Sequence, residues 1–148
     1  TPSPAQFAEG VFAGVLTQVL AIKGDDVGQL VGWFQLYNVE PENGIGFIGA
    51  ANFGDDGPAF GVAAALFLEL VFDGWDLHKL YLEVPEINEP KVASAVGAFL
   101  QVEGRLLDRA FVRGRPMDIA IYALLRSTWR DFGARRFLGL DPPDPAPS

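Results

Sequence analysis

Apolar and polar positions alternate with a period of two along three successive stretches near the start of the chain. They cover residues 17–23, 29–38 and 45–53, and this is the period of a half-buried strand. Gly24-Asp25-Asp26 and Pro41-Glu42-Asn43-Gly44 separate them as turns, so the three strands form an antiparallel meander. Alternation places Trp33 and Tyr37 on one face of the second strand and Phe34 on the other. Ahead of the meander, Ser3 and Pro4 are a capping hydroxyl followed by proline at the first helical position. Phe7, Val11, Phe12 and Val15 continue at helical spacing, which predicts a helix to about Gly14.

After the third strand, Gly54-Asp55-Asp56-Gly57-Pro58 breaks the alternation. Residues 60–72 are then almost wholly apolar, a helix that must be covered on most sides. Residues 79–84 read as a strand. Asn88 caps a second helix through Phe99, whose inward stripe is Val92, Ala95, Val96 and Phe99. Residues 101–112 and 117–126 form a hairpin around Arg113-Gly114-Arg115, and Ser127 caps a short terminal helix. Strands joined through helices pair in parallel, so the pattern predicts one α/β (α+β) domain over residues 1–140 with a mixed, mostly antiparallel sheet. The stretch 141–148 is acidic and proline-rich, and is expected to be a disordered tail.

Composition narrows the chemistry. Eleven basic against nineteen acidic residues give a net charge of −8, which argues against nucleic-acid binding and anionic membrane surfaces. Cysteine is absent and His78 is the sole histidine. Thiolate nucleophiles, zinc-thiolate sites and multi-histidine metal centres are thereby excluded, and no metal is expected. No apolar run reaches the length of a membrane span and no secretion signal opens the chain, so a cytoplasmic address is expected.

The chain resembles the GNAT superfamily of N-acetyltransferases, most closely the branch of ribosomal-protein alanine acetyltransferases. The resemblance runs from about Val31 to Trp129. It is carried by His78-Lys79-Leu80-Tyr81-Leu82-Glu83-Val84 followed by Asn88, and by Glu103-Gly104-Arg105 followed by Gly114, Asp118, Tyr122 and Trp129. It implies a sheet whose two central strands splay apart, with flanking helices and acetyl-CoA or another acyl-CoA as co-substrate. The pantetheine arm would enter the splay, and the pyrophosphate would sit at the head of the apolar helix, where amides and the helix dipole attract phosphate. The cofactor contacts implied are Ala51, Asn52 and Phe53 at the end of the third strand, Ala59, Phe60, Gly61 and Val62 at the helix start, and Asn88.

The sequence departs from the family pattern in places. Gly61 fits the second glycine of the phosphate loop, but Ala59 replaces the first and Asp56 stands at the basic or amide position. The family usually has one more strand and a helix ahead of the first predicted helix; either they are cut off from this sequence, or they are absent or disordered. The helix after Asn88 lacks the tyrosine that serves many relatives as an acid; Ala95 takes its place, and Ser94 is the only hydroxyl in that helix.

Glu83, near the end of the strand beside the expected splay, is the first candidate for the base that deprotonates an amine, with Glu86 next. The bland alternative for Glu83 is a pairing with Lys79. For Asn88 it is a simple helix cap, for His78 a structural place at a strand start, and for Arg109, Arg113 and Arg115 a solvated hairpin tip. The expected function is acyl transfer to a small-molecule or peptide amine, with room for a homodimer. The rival is a fold relative that binds a ligand or partner without catalysis. A third reading takes the acyl group from a carrier protein.

Overall fold

The computed structural model describes Ser3 and residues 14–24, 26–54 and 57–133. The helix expected at the start of the chain, Asp55, Asp56 and the proline-rich tail lie outside the described residues.

Six strands form one sheet in the order β1-β2-β3-β4-β6-β5. They are β1 (Val15–Lys23), β2 (Asp26–Glu40), β3 (Ile45–Asn52), β4 (Lys79–Pro85), β5 (Gln101–Val112) and β6 (Arg115–Leu125). The fold class expected from the alternation is the one observed. β1, β2 and β3 are the antiparallel meander, and β3 and β4 pair in parallel. Helix α1 (Gly57–Gly74) connects those two strands, as a parallel pair requires. β6 inserts between β4 and β5, antiparallel to both.

Helix α1 covers one face of the sheet through Ala65, Phe67, Leu68, Val71 and Phe72. Phe34 of β2 stacks on Phe60 and Phe67 at 5.3 and 5.4 Å between ring centroids. Leu36, Leu80 and Leu124 from three strands complete this core. Full burial of such a side chain contributes roughly 1.5–3 kcal/mol. With 18 residues and a mean hydropathy of 1.4, α1 is long and apolar enough to cross a membrane by length and composition alone, and Glu69 and Asp73 interrupt its apolar run. Here one of its faces packs on the sheet, while Val62, Leu66 and Leu70 stay exposed on another.

The helix expected over 89–99 is the main correction. A single 3₁₀ turn, Glu86–Asn88, leads into the short helix α2 (Glu89–Val92). Tight turns follow, with the Ala95 and Val96 amides bonded to the Val92 and Ala93 carbonyls, and Gly97 adopts φ +82°. Val92, Ser94, Val96 and Gly97 fall within six positions, and all are weaker helix formers than alanine or leucine. The inward residues were read correctly in part: Val92, Ala95 and Phe99 pack against the core, whereas Val96 is exposed.

At the other end, α3 (Arg126–Thr128) runs into a π-type turn, Trp129–Gly133. Ser127 lies inside α3 rather than capping it, since Leu125 holds the cap position. α1 has no basic residue in its own last turn, and this terminal segment supplies two. Arg130 donates to the Phe72 carbonyl at 3.3 Å and to Asp73 Oδ1 at 3.1 Å. Arg126 donates to the Trp75 carbonyl at 3.1 Å. Cations placed there satisfy the last carbonyls and complement the helix dipole.

Candidate active site

The parallel ladder between β3 and β4 is short. Its register runs from Ile45 opposite Lys79 to Ile48 opposite Leu82 and then stops. β3 continues to Asn52, paired only with β2, and β4 continues to Pro85, paired only with β6. The upper halves of two neighbouring strands therefore part, leaving a wedge with backbone groups on both flanks. α1 begins, and the turn after β4 sits, at this same end of the sheet.

Of the residues expected at the wedge, Ala51 and Asn52 lie on the upper part of β3. The Asn52 Oδ1 accepts the Gly54 amide at 3.0 Å, and Phe53, which donates its amide to the Val31 carbonyl at 3.1 Å, is exposed. α1 starts at Gly57, three residues ahead of expectation. Gly61 and Val62 thus lie inside the first turns, where amides bond back along the helix. The Phe60 ring is committed to Phe34, and Val62 is exposed. The backbone at the helix head is uncrowded. Its first turn holds no acidic side chain, and a Cβ built on Gly57 or Gly61 meets nothing within 4 Å, so a ligand can approach the backbone.

Asn88 occupies the N-cap position of α2 but makes no side-chain cap bond, so the plain capping role does not hold. Ser94 is exposed in the turn after α2. The structure does not bring it into a described contact with Glu83.

Glu83 is exposed on β4, opposite Ile121 of β6. It shares the face of β4 that carries Lys79 and Tyr81, away from α1. Across this face Tyr37, Phe47 and Tyr81 form a row, with ring centroids 5.7 Å and 5.2 Å apart. Lys79 does not pair with Glu83. Its ammonium bonds Glu103 of β5 and lies 5.0 Å from the centre of the Tyr81 ring. Tyr37 is half-buried, and its hydroxyl is held above the usual phenol range, first by burial and then by the charge of Glu83. Alternation places Tyr37 on this face; the charge of Glu83 that reaches it from two strands away has no signal in the spacing.

Glu86 is engaged otherwise. It accepts the Asp118 amide at 3.3 Å, and Arg105 sits nearby at 3.9 Å. Arg105 also bonds Glu89 at 2.7 Å and Asp118 at 2.9 Å, which ties the turn carrying Asn88 to β5 and β6. The arginines singled out from sequence, Arg109, Arg113 and Arg115, were not this one. The partners of Arg105 lie 13 and 16 positions away, beyond any local pattern. His78 is structural: its amide donates to the Gly44 carbonyl at 2.8 Å, and its carbonyl accepts the Arg126 amide at 2.9 Å. No cluster of three metal-ligating side chains exists among the described residues.

An apolar groove of about 530 Å³ lies between α1 and β1, lined by Val19, Ala21, Val62, Leu66 and Leu70 among others. It touches the helix head at Ala59 but includes no residue of β3 or β4.

No family model matches the chain, and no curated protein matches it. Solved structures do. A variant of spermidine N-acetyltransferase SpeG from Vibrio cholerae superposes with a TM-score of 0.68 at 20% identity, over 86% of this chain and 76% of that one. Spermidine N-acetyltransferase from the same organism, in complex with CoA and spermine, superposes with a TM-score of 0.66 at 18% identity, over 87% and 79%. A probable acetyltransferase of the GNAT family from Chromobacterium violaceum gives 0.68 at 20% identity, over 83% and 63%. The chain therefore has the fold of the GNAT acetyltransferases, with a mixed and mostly antiparallel sheet that opens between its two parallel central strands.

Proposed function

We propose that this protein is an acyl-CoA-dependent N-acetyltransferase. The observation that carries the reading is the parting of β3 and β4 beyond Ile48 and Leu82, at the end of the sheet where α1 begins without an acidic first turn. The backbone of Ala51 and Asn52 would hold the arm of the co-substrate. The head of α1 near Ala59 and Gly61 would receive its phosphates, with Phe53, Phe60, Val62 and Asn88 around it. Bound acyl-CoA supplies an activated carbonyl whose thiolate is the leaving group.

The chain's own part is to align the acceptor and take its proton. Glu83 stands beside the opening of the wedge and serves as the base. The amine nitrogen then bonds to the carbonyl carbon as the carbon–sulfur bond breaks. Ser94 is the remaining hydroxyl near α2 for the departing sulfur. Placing the reactants together supplies much of the rate even with modest acid–base help. The neighbour bound to CoA and spermine supports a small-molecule amine as acceptor. The sequence motifs around Glu83 and Arg105 favour a peptide amine.

The test is direct. Acetyl-CoA should raise the melting temperature, and turnover should follow with polyamines or with a peptide bearing an N-terminal alanine. The short α2, without a tyrosine, favours a second reading in which the wedge binds a ligand but transfers nothing. A melting shift without turnover on any amine would select it.

A further inference from the structure

Among the described residues, β1 pairs with β2 alone and so forms one edge of the sheet. Its residues from Val15 to Ile22 carry no charge, and Leu16, Leu20 and Ile22 are exposed. From Thr17 to Ala21 its register with β2 runs without a shift. The middle of the strand is therefore regular, and its outer backbone groups are a template for another strand. The opposite edge is built differently. β5 carries Glu103, Arg105, Asp108 and Arg109. Its register with β6 shifts between Val102 and Gly104 and again between Leu106 and Ala110, and Asp108 adopts φ 50°. Charges and bulges of this kind blunt an edge, and the middle of β1 has neither. Beside β1, the exposed Val62, Leu66 and Leu70 recur at every fourth position of α1, which is one stripe of a helix. They line the apolar groove between α1 and β1.

We propose that β1 is a self-association surface: it pairs antiparallel with β1 of a second copy of this chain, centred on Val19, and joins two six-stranded sheets edge to edge. Charge selects the occupant. Each copy carries a net charge of −8, so two copies repel unless they meet at a patch free of acidic groups. The edge from Val15 to Ile22 is such a patch, and so is the groove beside it, where Lys23 is the only charged lining residue. The start of the chain joins β1 at the other end, where the Gly14 carbonyl accepts the Asn38 amide of β2. Val19 is the midpoint of the regular stretch. When it faces its own copy, Thr17 falls opposite Ala21 and Gln18 opposite Leu20, and opposed residues share a face. Thr17, Val19 and Ala21 meet on the face of α1, where their small side chains leave the two grooves continuous across the join. The stripes of Leu66 and Leu70 then face each other over the paired strands. Lys23 falls opposite Val15, so no like charges meet. The inference does not depend on the reaction proposed above.

The experiment measures the mass of the full chain by light scattering and the strength of association by sedimentation equilibrium. Wild type should have the mass of two chains of 16.0 kDa each. Gln18 and Leu20 are exposed in the single copy, so charges there leave its fold intact. Gln18→Lys combined with Leu20→Lys sets like charges opposite each other on both sides of Val19. Gln18→Lys combined with Leu20→Glu sets opposite charges there instead. The first pair of substitutions should leave association roughly tenfold weaker than the second, the scale of two cross-strand charge pairs. Leu66→Lys, on the exposed stripe of α1, should weaken it as well. A measurement without variants stands beside these: diluting wild type should speed amide exchange in Thr17–Ala21, as the outer backbone groups lose their partner. A wild type with the mass of one chain overturns the proposal. So does a dimer whose like-charged and opposite-charged variants associate equally, or whose exchange in β1 ignores dilution.

Discussion

The indole N–H of Trp129 donates to the Glu69 carboxylate at 2.7 Å and so fastens the terminal turn to the middle of α1. Trp129 is buried at 1% exposure, with its ring edge-on to Phe99 at 6.3 Å. One side chain thus joins α1, the turns after α2 and the end of the chain. Trp129→Phe should cost about 1–3 kcal/mol, because it leaves Glu69 without that donor. Trp129→Ala should cost about 3–5 kcal/mol through the cavity it opens. Urea denaturation followed by circular dichroism measures both, and equal midpoints for wild type and Trp129→Phe would contradict the first.

The turn between β3 and its predecessor depends on Gly44. Its φ is +63°, and a Cβ would come within 2.7 Å of the His78 imidazole. Gly44→Ala should destabilise by about 1–2 kcal/mol from backbone strain alone, and by more while His78 remains. Adding His78→Ala should recover only the steric part. Thermal melts of the two single variants and the double variant separate these contributions.

Asp118 sets an acid-side dependence of stability. Its carboxyl is held below the usual aspartate range, first by the Asp108 amide and then by Arg105. A group whose folded pKa is depressed stabilises the fold above its unfolded value and loses that contribution as pH falls through the folded one. The contribution should therefore be complete above about pH 4 and disappear below it. Asp118→Asn should flatten this part of the curve. Arg105→Ala should flatten it less, since the amide of Asp108 remains. Urea midpoints across acidic pH in low salt are the measurement, and an unchanged slope in Asp118→Asn would contradict the assignment.

Gly61 and Glu83 separate binding from chemistry. A side chain at Gly61 projects into open space, so Gly61→Leu should leave the unliganded melting temperature nearly unchanged and abolish the shift caused by acetyl-CoA. Ligand stabilisation follows the logarithm of the ratio of concentration to Kd, so even a tenfold weaker Kd is visible. Glu83→Gln should keep the shift and lower kcat about a hundredfold or more, the usual share of a general base. Full turnover in Glu83→Gln would remove Glu83 from the mechanism.

Strand positions were the most legible part of the chain. The period of two sets the start of β3 at Ile45, because a strand with one buried face writes its orientation into the sequence, and β5 ends where the Arg113-Gly114-Arg115 turn is read. The ends of β2 were harder to read, since pairing with two neighbours carried it beyond the alternating stretch. The segment after Asn88 misled because Val92, Ala95 and Phe99 do pack inward, yet turns present them as well as a helix would. The parting of β3 and β4 has no local pattern at all; the family resemblance anticipated it, and the register located it. Nor do the bonds of Arg105 to Asp118 and Glu89 leave a trace in sequence spacing: the pairing of β5 with β6 sets Asp118 against it, and the turn after β4 brings up Glu89.

The short ladder between β3 and β4 also has a mechanical consequence. In backbone terms the sheet is two plates of three strands stitched by a seam that runs only from Ile45–Lys79 to Ile48–Leu82. The seam is the shortest ladder in the sheet, so rotation about it is opposed by the fewest backbone bonds. A guest lodged beyond its end would brace the plates against each other, so occupancy would be legible as slowed amide exchange in β3 and β4 well before any product is assayed.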